Sequence, residues 1–351
     1  MVILAACALC TTSFAQLTSL SMPPMAQPKL SAQTSERYNS VKNRIESMNH
    51  TGNLRRALTE LQLAIDDPGN TPDARCMLLC LNGQIAAASR DPDQAAAIYQ
   101  QASTVKGAAP EVKAQALSAL ASLRLQQNRP NEAVEAFATM LQIPGLPPDS
   151  RVVAMISRAS LRVSLQQNDD AYTELTAAAA IPDASPSYRA IALLQRANVP
   201  RSEPHWETDI AQAMAIPGIP GNLRSAALLI RASLYRSNRQ KEQSLADCQT
   251  ILSTPDAPAN DRAAALTIVA EDQLTRFEFD VALKELDEAL AQHGLQPDTQ
   301  ALAYLTRSKL RTAQNDYPRA YADLRLAERT DKISPAMVAQ IRQQKLLMDG
   351  H

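Results

Sequence analysis

The chain has 351 residues, 45% of them hydrophobic, which excludes disorder throughout and supplies enough apolar surface for one large core or two ordinary ones. Nine Gly, four Phe, eight Tyr and one Trp leave little material for glycine-rich nucleotide loops, base-stacking platforms or a many-stranded sheet, so a helical class is favoured. With 35 basic against 36 acidic side chains the formal net charge is −1, and no electrostatic surplus exists to hold a nucleic acid or an anionic membrane.

The amino terminus is apolar from Val2 to Leu9, and Ser13 and Ala15 are small residues placed as a signal peptidase needs them. Residues 1–15 therefore read as an export signal cut after Ala15, although the positive charges that ordinarily precede the apolar run are absent. The expected location is periplasmic or secreted. A rival reading takes Leu4-Ala5-Ala6-Cys7 as a lipobox and anchors the protein through a lipidated Cys7. The apolar stretch is too short to span a bilayer. Residues 16–35 are polar and proline-bearing, with no helical period, and read as a flexible linker.

From residue 36 to 349 the chain repeats with a period of 38. A proline followed three or four residues later by a basic residue recurs at Arg75, Lys113, Arg151, Arg189, Arg224 and Arg262, and the frame extends back to Arg37 and on to Gln300 and Val338. Four residues after this mark stands a large apolar residue (Val41, Leu79, Leu117, Met155, Leu193, Leu228, Leu266, Tyr304), and four further a small one in seven of eight units, such as Gly83, Ala121 and Ala159. A second small position twelve on (Ala57, Ala95, Ala133, Ala171) and an anchor four beyond it (Leu61, Tyr99, Phe137, Leu175) describe a second helix. Each unit is thus predicted as two amphipathic helices. Thr71-Pro72, Ser185-Pro186 and Ser334-Pro335 place a capping hydroxyl before a first-turn proline, and connectors such as Ile143 to Pro148 stop one unit and aim the next. The fifth unit lacks three residues between Ala197 and Trp206; Trp206 takes its alanine position and is flanked by Pro200 and Pro204, so a kink, a packing repair or a binding feature is expected there.

This pattern of glycine or alanine, alanine twelve later, an aromatic or leucine at sixteen and alanine at nineteen resembles the tetratricopeptide repeat, stretched by about four residues in the connector. The resemblance implies an all-α fold, a right-handed α-solenoid of about eight antiparallel helix pairs, closed by a capping helix from Ser334 to Met348 with Arg342, Gln343, Gln344 and Lys345 on its polar side. It further implies that the first helix of each unit lines a concave groove, through Val153, Ile156, Ser160, Ile191, Leu194, Asn198, Leu229, Ser233, Leu302 and Leu305. An apolar helix or extended peptide would suit such a strip, while the alternative, that these columns pack against neighbouring helices, stays equally open. The Lys, Asn and Arg clamp of co-chaperone members is matched only by Lys42 and Asn43, with Glu46 where an Asn is wanted.

Eight copies of one unit also permit an internal comparison. Seven residues after the mark stand Arg44, Arg158, Arg196, Arg231 and Arg307, and in those same units the second helix carries Glu60, Glu174, Asp209, Asp247 and Asp323. Units with Asn82 and Leu120 carry Ile98 and Ala136 instead, and only Val269 with Glu285 departs from the rule. Five structural ion pairs joining the two helices of a unit are predicted.

Chemistry is sparse. His50, His205, His293 and His351 are scattered; Cys76 and Cys80, four apart on one helix face, gain no further ligand and read as core, with Cys248. The three form no disulfide framework. No phosphate loop, dinucleotide fingerprint or nucleophile elbow is present, and neither a cofactor nor a metal is expected. The sequence therefore predicts a non-catalytic scaffold that binds a peptide or protein in its groove, with no nucleic acid partner and no membrane span. The alternatives are an envelope lipoprotein supporting glycan or outer-membrane assembly, and a hydrolase with a site around His205 and Trp206.

Overall fold

The computed structural model describes residues 30–50, 54–89, 91–201 and 205–349. The export signal, Cys7 and most of the linker lie outside them. Every regular element among the described residues is a helix, and the described chain divides into two units, 30–201 and 205–349.

The first unit holds α1 (Ala32–His50), α2 (Leu54–Asp66), α3 (Pro72–Ala88), α4 (Pro92–Ser103), α5 (Pro110–Gln126), α6 (Pro130–Leu141), α7 (Pro148–Ser164), α8 (Asn168–Ala179) and α9 (Pro186–Arg196). The second holds α10 (Trp206–Ala215), α11 (Gly221–Ser237), α12 (Lys241–Ser253), α13 (Ala259–Thr275), α14 (Phe279–Ala291), α15 (Pro297–Ala313), α16 (Tyr317–Glu328) and α17 (Pro335–Asp349). Helix α1 starts four residues ahead of position 36, with Thr34 buried. In each unit successive helices pair as antiparallel hairpins, and first helices also pack on the first helix of the next hairpin, α1 on α3, α3 on α5, α7 on α9, α11 on α13, α13 on α15 and α15 on α17. Each unit is therefore a stack in which a hairpin buries its apolar face only by touching its neighbours.

The sequence columns explain the packing. The small residue eight after the mark lets the second helix close in: a Cβ on Gly83 would lie 2.7 Å from the Tyr99 ring. Buried residues such as Leu61, Leu175 and Leu286 fill the hairpin interiors, each worth about 1.5–3 kcal/mol of transfer free energy. Turns inside the hairpins are reversed by one left-handed residue, Asn128, Gln166, Arg239, Phe277 or Asn315, each with φ near 60°.

Two polar devices tie one hairpin to the next. The basic mark reaches back to the end of the preceding second helix, where Arg189 Nε donates to the Ala179 carbonyl at 3.1 Å and Arg262 Nη1 to the Leu252 carbonyl at 3.0 Å. This satisfies an orphan carbonyl and places a cation at the negative helix end. Two residues before the mark, a short side chain accepts the backbone N–H of the next hairpin's N-cap: Asp73 from Ala109, Asp149 from Ser185, Asn260 from Gln296 and Asp298 from Ser334, at 2.7–3.0 Å. The N-caps Pro147, Pro220 and Pro258 have no N–H, and there the acceptor column reads Glu111, Ser187 and Asn222. Of the three predicted hydroxyl caps, Thr71 and Ser334 accept from the third residue of their helices at 3.2 Å, whereas Ser185 makes no such bond.

The fifth repeat is where the two units part. Its first helix α9 has 11 residues, against 17 in α3, α5, α7, α11, α13 and α15, so the missing residues come from the end of the first helix. Pro200, just past the end of α9 at Arg196, cannot continue a helix hydrogen-bond ladder.

Candidate functional site

Four of the five predicted ion pairs lie inside one unit, and all four meet. Arg158 Nη2 is 2.6 Å from Glu174 Oε1, Arg231 holds Asp247 through Nε at 2.8 Å and Nη2 at 2.6 Å, Arg307 Nη2 is 2.7 Å from Asp323 Oδ1, and Arg44 Nε is 3.0 Å from Glu60 Oε2. Hydrogen bonding to Asp247 raises the affinity of Arg231 for its proton; in Arg307 burial works the other way and is outweighed by Asp323 and Asp287. The fifth pair is different, because Arg196 ends the first unit and Asp209 belongs to the second. Within its unit Arg196 Nη1 donates to Thr176 Oγ1 at 3.0 Å, and its guanidinium stands 5.2 Å from the Tyr172 ring centroid, with that of Arg201 at 4.2 Å.

Two of the carboxylates serve a second arginine that the column comparison passes over. Arg162 Nη1 takes the other oxygen of Glu174 at 2.8 Å, and Arg311 Nη1 that of Asp323 at 2.8 Å. Both stand four residues after the first arginine, so one more column would have revealed them. In the unit with Leu120 and Ala136 the same column holds Arg124, which turns to Glu132 at 2.9 Å. Where Val269 replaces arginine, Gln273 bonds Glu285, whose carboxyl is raised by burial and by nearby Glu288. These groups are spent in joining helices.

The predicted groove needs correction. Val153, Ile156, Ile191, Leu194, Leu229 and Leu305 are all buried, with Ile156, Leu194 and Leu305 fully so. At these positions the packed helices of each unit cover the second or fifth residue after the mark. Those six residues are core, and only Leu302, Ser160, Asn198 and Ser233 of the predicted lining keep accessible surface.

What faces outward along the first helices is a polar row nine residues after the mark: Ser122, Ser160 and, two residues past the end of α9, Asn198 in the first unit, and Ser233, Glu271 and Lys309 in the second. Ser122, Ser160 and Ser233 each lie 3.0 Å from the carbonyl four residues earlier, and Asn198 Nδ2 donates to Leu194 in the same way at 2.9 Å. The Ser122 and Ser233 hydroxyl protons are committed to their own helix, while Asn198 keeps its amide oxygen and a second amide N–H. The single Ser160 proton is shared between the Ile156 carbonyl and Gln195 Oε1 of the next first helix, which lies 2.9 Å away. In the second unit Glu271 pairs with Arg236 and accepts from Thr306 at 3.2 Å; burial would raise its carboxyl, but Arg236 and Lys309 hold it below the usual range.

Trp206 is buried at the start of α10, its ring edge-on to Tyr235 with centroids 5.1 Å apart, and Tyr235 in turn lies 5.9 Å from the Arg231 guanidinium. The indole fills the space its large side chain takes from the repeat's alanine column, so it serves packing. A polar cleft of about 470 Å³ beside it is lined by His205, Glu207, Thr208, Asn238 and Gln240. Cys76 is buried and lies 3.1 Å from the Ala102 carbonyl; Cys248 is buried too, its thiol pushed up to about 12 by desolvation. Among the described residues no three His, Cys, Asp or Glu side chains converge on a metal position, and no helix is long and apolar enough to cross a membrane.

No protein-family model and no curated protein matches the chain. Among solved structures, it is similar to a tetratricopeptide repeat protein from Parabacteroides merdae ATCC 43184, with 16% identity, a TM-score of 0.45, and 88% of this chain and 99% of that one covered. It is also similar to the quorum sensor NprR from B. thuringiensis, at 13% identity and a TM-score of 0.46. That match covers 91% of this chain and 82% of the apo form. The NprR complex with its cognate peptide NprX gives the same identity and score over 92% and 86%. The tetratricopeptide-like assignment itself rests on the stacked hairpins and their 38-residue register.

Proposed function

We propose that the protein is a non-catalytic interaction scaffold whose first-helix surfaces hold a polypeptide partner through polar contacts. The observation that supports this most is the polar row at Ser122, Ser160 and Asn198, with one outward side-chain oxygen per hairpin at a fixed interval of 38 residues. An extended main chain supplies regularly spaced N–H donors to such a row. The apolar groove read from sequence is replaced in this proposal by a polar one, because the leucines and isoleucines meant for it are core. Arginines and carboxylates that could do acid and base chemistry are instead bound to each other, which supports a role without catalysis.

The test is a peptide-array screen with the full chain, repeated with Ser160→Arg and with Asn198→Arg. Both positions keep accessible surface, so the fold should stand. The reading expects a set of bound peptides that these variants lose; an unchanged set would overturn it. Export rests on residues 1–15, and the mass of the mature amino terminus decides its form. A start at Gln16 supports a soluble periplasmic or secreted scaffold, and a lipidated Cys7 supports an anchored one.

A further inference from the structure

In the other first helices from α3 onward the columns one and eight residues after the mark are buried: Ala263 and Ala270 on α13, for example, lie in clusters with Ala289 and with Ala282 and Leu286 of the partner helix α14. Helix α17 occupies the same register, since Val338 continues the mark, yet no second helix covers it among the described residues. Its equivalents are Ala339, which is exposed, and Leu346, which is 73% exposed. Leu347 beside it is 59% exposed. Of the polar side expected from Arg342, Gln343, Gln344 and Lys345, Gln344 is buried, and two leucines stand in water beside the other three.

We propose that α17 is one half of a hairpin whose other half is an acidic amphipathic helix supplied by a partner protein. The repeats themselves show what covers this face: an antiparallel helix with a small or apolar stripe, and a carboxylate opposite the column seven after the mark. On α17 that column is Lys345, half-exposed and 3.2 Å from Glu328, and one turn earlier Arg342 is exposed with no ion pair among the described residues. Two cations flanking two leucines call for acidic groups flanking an apolar ridge. Self-association of α17 with a second copy would line up Arg342 and Lys345 of both chains along one seam, a like-charge arrangement that argues against it. The inference uses the end of a stack and does not rest on the polar row at Ser122 and Ser160, so either can fail alone.

The probe is a fluorescein-labelled peptide of the α14 sequence, Phe279 to Ala291, held helical by a staple replacing Lys284 and Glu288, both solvent-facing in the chain. It carries Glu285 in the carboxylate column. Anisotropy with the full chain should show saturable binding that weakens about tenfold or more in Leu346→Asp and in Arg342→Glu. Leu63→Asp, an exposed leucine on α2, should bind as the parent does. Thermal melts of the variants, all at surface positions, check folding. Absence of saturable binding, or equal binding by Leu346→Asp, would overturn the proposal. So would a dimer in sedimentation that Leu346→Asp dissolves, because it would assign the face to a second copy.

Discussion

Removing Glu174 isolates the energetics of the buried clasp. Its side chain is 3% exposed and takes Arg158 on one oxygen and Arg162 on the other, with those arginines 19% and 23% exposed. In Glu174→Ala the two guanidiniums face each other with no counter-charge, in a setting where loss of one partner of a buried pair costs about 3–5 kcal/mol. For a unit of this size that corresponds to a fall in Tm of about 6 to 20 °C. The neighbouring repeat shows how the same contact is made without charge, through Leu120 and Ala136. Arg158→Leu with Glu174→Ala copies that solution and leaves Arg162 free to turn toward Asp170, which stands where Glu132 receives Arg124. The double variant should return to within about 1 kcal/mol of the parent. Denaturant titration followed by circular dichroism, with amide exchange across α7 and α8, measures both. A double variant as unstable as the single one would refute the view that the cost is stranded charge rather than lost packing.

Asp149→Ala should cost about 1–3 kcal/mol by orphaning the Ser185 N–H, with Asp149→Asn restoring it as Asn260 does in its own repeat, and amide exchange at Ser185 reports the loss directly. The matching Glu111→Ala, facing the N-cap Pro147, should fall within about 0.5 kcal/mol of the parent. Gly83→Ala should lose about 1–3 kcal/mol through the clash with Tyr99, recovered in a melt of Gly83→Ala with Tyr99→Leu. Asp261 is buried, and desolvation raises its carboxyl from 3.8 to about 6. A carboxyl raised in the folded state favours folding while protonated, so this group's penalty grows as the pH climbs from about 4 to about 6 and is complete above that. Asp261→Asn should therefore stabilise the protein by about 3 kcal/mol at pH 7 and by almost nothing at pH 4, as melts at the two pH values would show.

The hairpins were legible because one sequence contains its own alignment. Repetition made Val41, Leu79 and Leu117 a column, and the covariation of Arg158 with Glu174 a geometric statement. The groove was not legible, because whether Ile156 or Leu194 is lining or core depends on how closely successive first helices approach, and a single helix's periodicity carries no information about that distance. The same limit hid the exposure of Leu346, whose column is buried wherever a second helix follows. Proline supplied information in both directions: Pro200 predicted trouble in the fifth repeat, where the structure truncates α9 and divides the chain, and the N-cap prolines explain why Glu111 could replace the Asp of other repeats.

The clasp from the residue two before the mark to the next N-cap makes each module specific for the one downstream of it. A gene duplication or an engineered splice that copied helix pairs from cap to cap could set an aspartate against a proline, leaving the carboxylate idle, or a glutamate against an N–H it does not serve. Exchange without penalty requires cutting inside the first turn of a first helix, ahead of the acceptor and behind the cap, so the interchangeable segment of this chain is offset from the hairpin that the eye picks out.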